Sequence, residues 1–81
     1  MAAEQLRVLV VDDNALDRAL WRHYLTQAPD ADYDYAEESF GEAGLSRCDR
    51  FSPDCVVLDL NLPDMNGLEF LSRLQIGRAH V

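Results

Sequence analysis

The chain reads as an α/β domain built on a parallel sheet, and three observations predict it. Two continuous apolar runs rich in β-branched residues, 6–11 and 55–58, have the pattern of strands covered on both faces. Each run ends abruptly in acid, the first at Asp12-Asp13 and the second at Asp59. Segments with helical spacing and capped N-termini separate and follow the strands, so the order is β-α-β-α-β-α. That order implies right-handed crossovers. Two buried strands and one edge strand then suggest the spatial order 2-1-3, which makes the two acid-tipped strands neighbours.

The first strand, Leu-Arg-Val-Leu-Val-Val, runs into Asp12-Asp13 and then Asn14, a good helix N-cap. Asp17 falls at the third helical position, where a negative charge favours the positive end of the helix. The first helix is predicted over residues 15–28 and stops at Pro29. Leu16, Leu20, Tyr24 and Ala28 recur at helical spacing and form its expected inward stripe, with Arg18, Arg22 and Gln27 away from it. Trp21 and Tyr24 are read as packing groups, and His23, at the stripe's boundary, as a solvated or packing side chain rather than a ligand.

Residues 31–36 alternate small or acidic residues with Tyr33 and Tyr35, a period of two that fits a half-exposed edge strand. Ser39-Phe40-Gly41-Glu42 has the Ser-x-x-Glu form of a capping box, opening a second helix that reaches about Asp49. Phe40, Ala43, Leu45 and Cys48 are its expected apolar contacts, while Gly41 and Gly44 weaken it. Pro53 opens the third strand, which ends on Asp59; Pro63 and Gly67 then mark a shaped loop. Asn66-Gly67-Leu68-Glu69 caps a third helix whose buried side is expected at Leu68, Leu71 and Leu74. Residues 76–81, Ile-Gly-Arg-Ala-His-Val, break the helical pattern directly after Gln75 and look like the translation of a sequencing-library adapter. They are read as a non-native tail, which removes Arg78 and His80 from functional consideration.

At 81 residues the chain holds one small domain with a marginal core. Its net charge of -8, with every cation an Arg, argues against nucleic acid or an anionic membrane as a partner of this segment. Two cysteines, Cys48 and Cys55, make neither a disulfide framework nor a zinc site and are expected as reduced core thiols. The first apolar run is too short for a signal peptide, and no stretch approaches membrane-spanning length. A cytoplasmic location is the expectation.

An acid at the C-terminal tip of a parallel strand lies where open α/β sheets bind their ligands. Asp12, Asp13 and Asp59 would converge there. Like charges ~5 Å apart repel by roughly 3 kcal/mol at an effective dielectric near 20, so the group needs a proton or a cation. Carboxylate oxygens with room for water suit Mg²⁺ or Mn²⁺. Asp59 is the candidate nucleophile, because carboxylates accept phosphoryl groups and a metal holds the incoming oxygens in line. Taken singly, each acid is more simply a cap, a turn or a strand terminator; the case rests on their pairing at adjacent strand ends.

The run Val-Leu-Val-Val-Asp12-Asp13-Asn14, followed by Val-Val-Leu-Asp59-Leu-Asn-Leu-Pro63-Asp-Met-Asn-Gly67-Leu, resembles the receiver domain of bacterial two-component response regulators. The resemblance covers residues 6–75, so residues 1–75 are the N-terminal part of a receiver domain. It implies a flavodoxin-like (CheY-like) doubly wound parallel sheet, here partial: strands 4 and 5 of the order 2-1-3-4-5 are missing. It also implies that a sensor histidine kinase or phosphotransfer protein phosphorylates Asp59. Asp13 would bind Mg²⁺ directly, Asp12 would help orient it, and the backbone carbonyl of Asn61 would complete the protein ligands. The first helix, with Asp17, Arg18 and Arg22, would meet the kinase.

The chain departs from the family in lacking the Ser or Thr of strand four, and the Lys of strand five. No Lys occurs anywhere in it. The resemblance therefore implies a phosphoacceptor signalling domain with self-catalysed phosphotransfer only, not a turnover enzyme, and a stretch inactive as a switch by itself. Two rival readings are a degenerate receiver serving as an interaction module and an aspartate-nucleophile phosphatase. The first usually loses one of the three acids, and the second wants an acid where Asn61 stands.

Overall fold

The computed structural model describes residues 5–27 and 32–78, with side chains as far as Leu74. Three parallel strands lie in the order β2-β1-β3. They are β1 (Gln5–Val11), β2 (Asp32–Glu38) and β3 (Cys55–Leu58), separated and followed by α1 (Ala15–Gln27), α2 (Gly41–Phe51) and α3 (Gly67–Arg78). This is the partial doubly wound, CheY-like sheet that the sequence predicts. The register sets Leu9 opposite both Ala36 and Val56, and Val11 opposite both Glu38 and Leu58.

Central position explains why β1 is the most buried strand. Val8, Leu9, Val10 and Val11 are all buried, the last three completely. Alternation sends Leu9 and Val11 to one face, where they join Ala36, Cys48 of α2, Phe70 of α3, and Leu62 and Met65 of the β3–α3 loop in the core cluster. Val8 and Val10 point to the opposite face, which α1 crosses. Gly44 lets α2 lie close on the core: a Cβ there would sit 2.8 Å from Val11 Cγ2 and 3.0 Å from Phe70 Cε2.

Several expectations about faces and caps are corrected. β3 is not covered on both faces; none of its residues is buried and Cys55 is exposed, because no strand pairs with its outer edge among the described residues. Only Cys48 is a core thiol, and the two cysteines form no disulfide. On α1 the expected inward stripe is exposed, with Leu16 at 68%, Leu20 at 44% and Tyr24 at 63%. Arg18, Ala19 and Leu25 are the half-buried positions instead, and Trp21 is also exposed. Only one side of this helix meets the strands, and its wider apolar arc has no described neighbour.

On α3, likewise, Phe70 is the fully buried residue while Leu68 and Leu71 are exposed; Leu74 packs against the core as expected. Phe40 is exposed as well, at 51%. The α3 backbone stays helical to Arg78, through residues 76–78 where the pattern was expected to break; none of them is the Pro that would stop a helix, and an interior Gly costs only about 1 kcal/mol. Ala28, Pro29, Ala31 and residues 79–81 lie outside the described residues.

Candidate functional site

The ladders continue one residue past the strands and so carry the acids to one place. Asp59 N–H donates to the Val11 carbonyl at 2.9 Å, and Asp12 N–H to the Glu38 carbonyl at 3.0 Å. The adjacent tips of β1 and β3 thereby bring Asp12, Asp13 and Asp59 together: a carboxylate oxygen from each lies within 4.8 Å of the other two. Asp12 and Asp59 are half-buried and Asp13 is exposed.

Each flanking loop turns on its own acid. Asp12 Oδ1 accepts the Asn14 N–H at 2.9 Å, and Asp59 Oδ1 accepts the Asn61 N–H at 3.1 Å. Asn14 Oδ1 then caps α1 by accepting from Leu16 and Asp17 at 2.9 and 3.2 Å. Asn66 Oδ1 caps α3 through the Glu69 N–H at 2.8 Å. Both caps are as predicted.

The second predicted cap is not formed. The N-cap of α2 is Phe40, without a side-chain cap bond, and the Ser39–Glu42 capping box is absent. Asp64 takes its place from the β3–α3 loop: Oδ1 accepts the Gly41 N–H at 2.8 Å and Oδ2 the Glu42 N–H at 2.9 Å. Those two bonds hold the Asp64 carboxyl below its ordinary value, the Glu42 bond contributing most. Glu42 is drawn instead to Arg73 of α3, which pairs with both of its oxygens. Local sequence gave no signal for the Asp64 cap, because acceptor and helix start are 23 residues apart.

Arg18 is a second residue whose role was missed. Its Nη1 donates to the Asp12 carbonyl at 2.7 Å and its Nε to Glu37 at 3.0 Å, and Arg22 shares the same carboxylate at 2.8 Å. With its side chain only 18% exposed, Arg18 is committed to holding the β1–α1 loop against β2 and presents little surface to a partner.

Among the described residues no salt bridge reaches the carboxylate of Asp12, Asp13 or Asp59; the arginines pair with Asp34, Glu37, Glu38, Glu42 and Glu69. The Asp12 carboxyl is held above its ordinary value, chiefly by burial, then by the charges of Asp59, Asp17 and Asp13, against the opposing Asn14 N–H bond. Three converging oxygen donors with unbalanced negative charge fit a hard divalent cation. Asn61, two residues beyond Asp59, is exposed on a loop closed by a bridge to Asn66 and by the Gly67 N–H donating to the Leu60 carbonyl at 2.8 Å.

Comparison with known proteins gives one family. Residues 8–81 match the family described as "Response regulator receiver domain". The chain is 41% identical over 73 residues to a protein-glutamate methylesterase/protein-glutamine glutaminase of Treponema denticola, covering 89% of this chain and 19% of that protein. It is 38% identical over 72 residues to the nitrate/nitrite response regulator protein NarL of Escherichia coli, covering 89% and 33%. Among solved structures, the response regulator domain of Thermotoga maritima CheB superposes with a TM-score of 0.77 at 29% identity, covering 94% of this chain and 55% of that one. The chain thus spans between 19% and 33% of the length of these curated relatives.

Proposed function

The chain belongs to the response regulator receiver domain family, and from that premise we propose that Asp59 accepts a phosphoryl group from a sensor histidine kinase or a phosphotransfer protein. The observation that carries this reading is the meeting of Asp12, Asp13 and Asp59 within 4.8 Å, their carboxylates in no salt bridge among the described residues. Asp12, Asp13, Asp59 and the backbone carbonyl of Asn61 are the residues that would hold Mg²⁺ or Mn²⁺. When bound, the ion supplies positive charge that screens the acids and steadies the phosphoryl oxygens.

The chain's own residues supply the rest. The Asp59 carboxylate oxygen forms a bond to phosphorus as the phosphorus–nitrogen bond of the phosphohistidine breaks. The imidazole nitrogen leaves with that electron pair, and an acyl phosphate remains on Asp59. The hydrogen bond from Asn61 N–H to Asp59 Oδ1 fixes the carboxylate plane and directs the other oxygen at the phosphorus. Arg18 and the Glu38 carbonyl hold the backbone of Asp12, so the acids keep their separation through the transfer.

No described helix is long and apolar enough to cross a membrane. A cytoplasmic location is part of the proposal, since it is there that a kinase's phosphohistidine would meet Asp59. The test is incubation of the full-length protein with acetyl phosphate and Mg²⁺. Acid- and base-labile incorporation of one phosphoryl group, released by hydroxylamine and abolished by Asp59→Asn and by chelation, is expected of an acyl phosphate. Incorporation that survives Asp59→Asn would overturn the assignment, and steady turnover of a phosphate ester would favour a phosphatase.

A further inference from the structure

We propose that Asp64 is a positioning residue for the phosphoacceptor site, clamping the loop that carries Asn61 onto the first turn of α2. This inference rests on the reading of Asp12, Asp13, Asp59 and Asn61 given above and assigns a further residue to it. Both Asp64 oxygens are engaged, one on the Gly41 N–H and one on the Glu42 N–H, a charge-assisted pair at the positive end of a helix. The loop's other polar ties run along its own chain. They go back to Asp59 through the Asn61 N–H, within the loop from Leu62 N–H to the Met65 carbonyl and across the Asn61–Asn66 bridge, and on into α3 from Asn66. Among the described residues, only Asp64 ties the loop to α2 by side-chain hydrogen bonds.

Apolar packing seats the same loop from below and leaves its outer part exposed. Leu62 and Met65 are buried at 8% and 7%. Met65 fills the space a side chain at position 41 would need, its Cγ lying 2.5 Å from where a Cβ would stand. Asn61 itself is exposed, so burial does not hold its backbone. The start of α2 follows closely on Glu38, whose carbonyl holds Asp12 N–H. The clamp therefore joins the loop beyond Asp59 to the chain segment that supports Asp12, and fixes the two sides of the acid cluster relative to each other. The Glu42–Arg73 pair repeats the connection one step further, from the first turn of α2 to α3.

Losing a group that hydrogen-bonds a metal's ligands characteristically costs about ten- to a hundredfold in affinity. Asp64 acts one step further out, through the loop that carries Asn61, and its loss belongs at the low end of that range. In the full-length protein, Asp64→Ala is expected to weaken Mg²⁺ binding by on the order of tenfold, measured by calorimetric titration at a temperature where every variant is folded. Acetyl phosphate labelling should slow in parallel at subsaturating Mg²⁺ and recover at saturation. Asp64→Asn, which keeps an acceptor for one of the two N–H groups, should fall between, and it serves if the alanine variant does not fold. Ser46→Gly weakens the exposed face of the same helix without touching the clamp, and should leave Mg²⁺ affinity unchanged. Equal affinity in wild type and both Asp64 variants overturns the clamp alone, as does an equal loss in Ser46→Gly. A wild-type protein that neither binds Mg²⁺ nor takes a phosphoryl group overturns the site reading and this inference together.

Discussion

Asp12, at the start of the β1–α1 loop, and Asp64, in the β3–α3 loop, are both loop carboxylates, yet their environments move them in opposite directions. Asp12 is raised above 3.8 by burial and neighbouring acids, so its ionised form strains the fold; that strain appears as pH rises from about 3.8 through the raised value and is complete above it. Asp64 is lowered by the α2 N–H groups. Its stabilisation is complete above the unfolded carboxyl value and is lost as pH falls through the depressed one. Urea unfolding followed from pH 7 into the acid range should therefore show Asp64→Asn less stable than wild type at neutrality, with the difference narrowing as the Asp64 carboxyl is protonated. Asp12→Asn should be more stable than wild type at neutrality without metal. Asp13→Asn, which removes an exposed charge from the cluster, should stabilise the metal-free protein by about 1 kcal/mol after solvent screening and abolish stabilisation by Mg²⁺. The Asn14 and Asn66 caps were legible because their partners lie two or three residues away, and the three acids because each ends or follows an apolar run whose strand lies beside the other's. Asp64 and Arg18 were not, because their partners come from other elements and no local pattern records them.

Among the elements, α2 is the one whose sequence looks weakest and whose contacts are closest. Its glycines read as helix-weakening, but Gly44 stands where a methyl group would press on Val11 and Phe70. Gly44→Ala should destabilise by about 1–3 kcal/mol through overpacking despite the better helix propensity of Ala. Ser46→Ala on the exposed face should gain a few tenths; thermal melts of the two variants separate packing from propensity. The same distinction explains which parts of α1 and α3 were misread. Spacing identifies an apolar stripe but not the neighbour that covers it. Leu16, Leu20 and Tyr24 on α1, and Leu68 and Leu71 on α3, satisfy the helical period while facing away from the three-stranded sheet. Strand order was legible for the opposite reason: a continuous apolar run such as Val-Leu-Val-Val needs two neighbours, and only the central position supplies them. β3 carries the same composition at an edge, so its run predicted a burial that the described residues do not provide.

For the molecule as a whole, the fully enclosed apolar side chains are few, led by Phe70, Leu9, Val10, Val11 and Cys48. The solved CheB relative is nearly twice as long. The 81-residue chain by itself is expected to unfold over a broad, weakly cooperative thermal transition and to bind Mg²⁺ poorly; a sharp transition that millimolar Mg²⁺ moves upward would contradict this. Its unpaired β3 edge and exposed leucines should make it associate as concentration rises, visible in sedimentation velocity and relieved when the chain is extended to the length of its solved relatives. The same uneven enclosure sets the two thiols apart. Cys55 sits on the open rim of the sheet while Cys48 is sealed beneath α2 at 1% exposure. A small alkylating reagent would thus find one sulfur at once and the other only when the interior breathes. Each molecule carries its own pair of clocks, one timing access to the rim and the other timing the opening of the core.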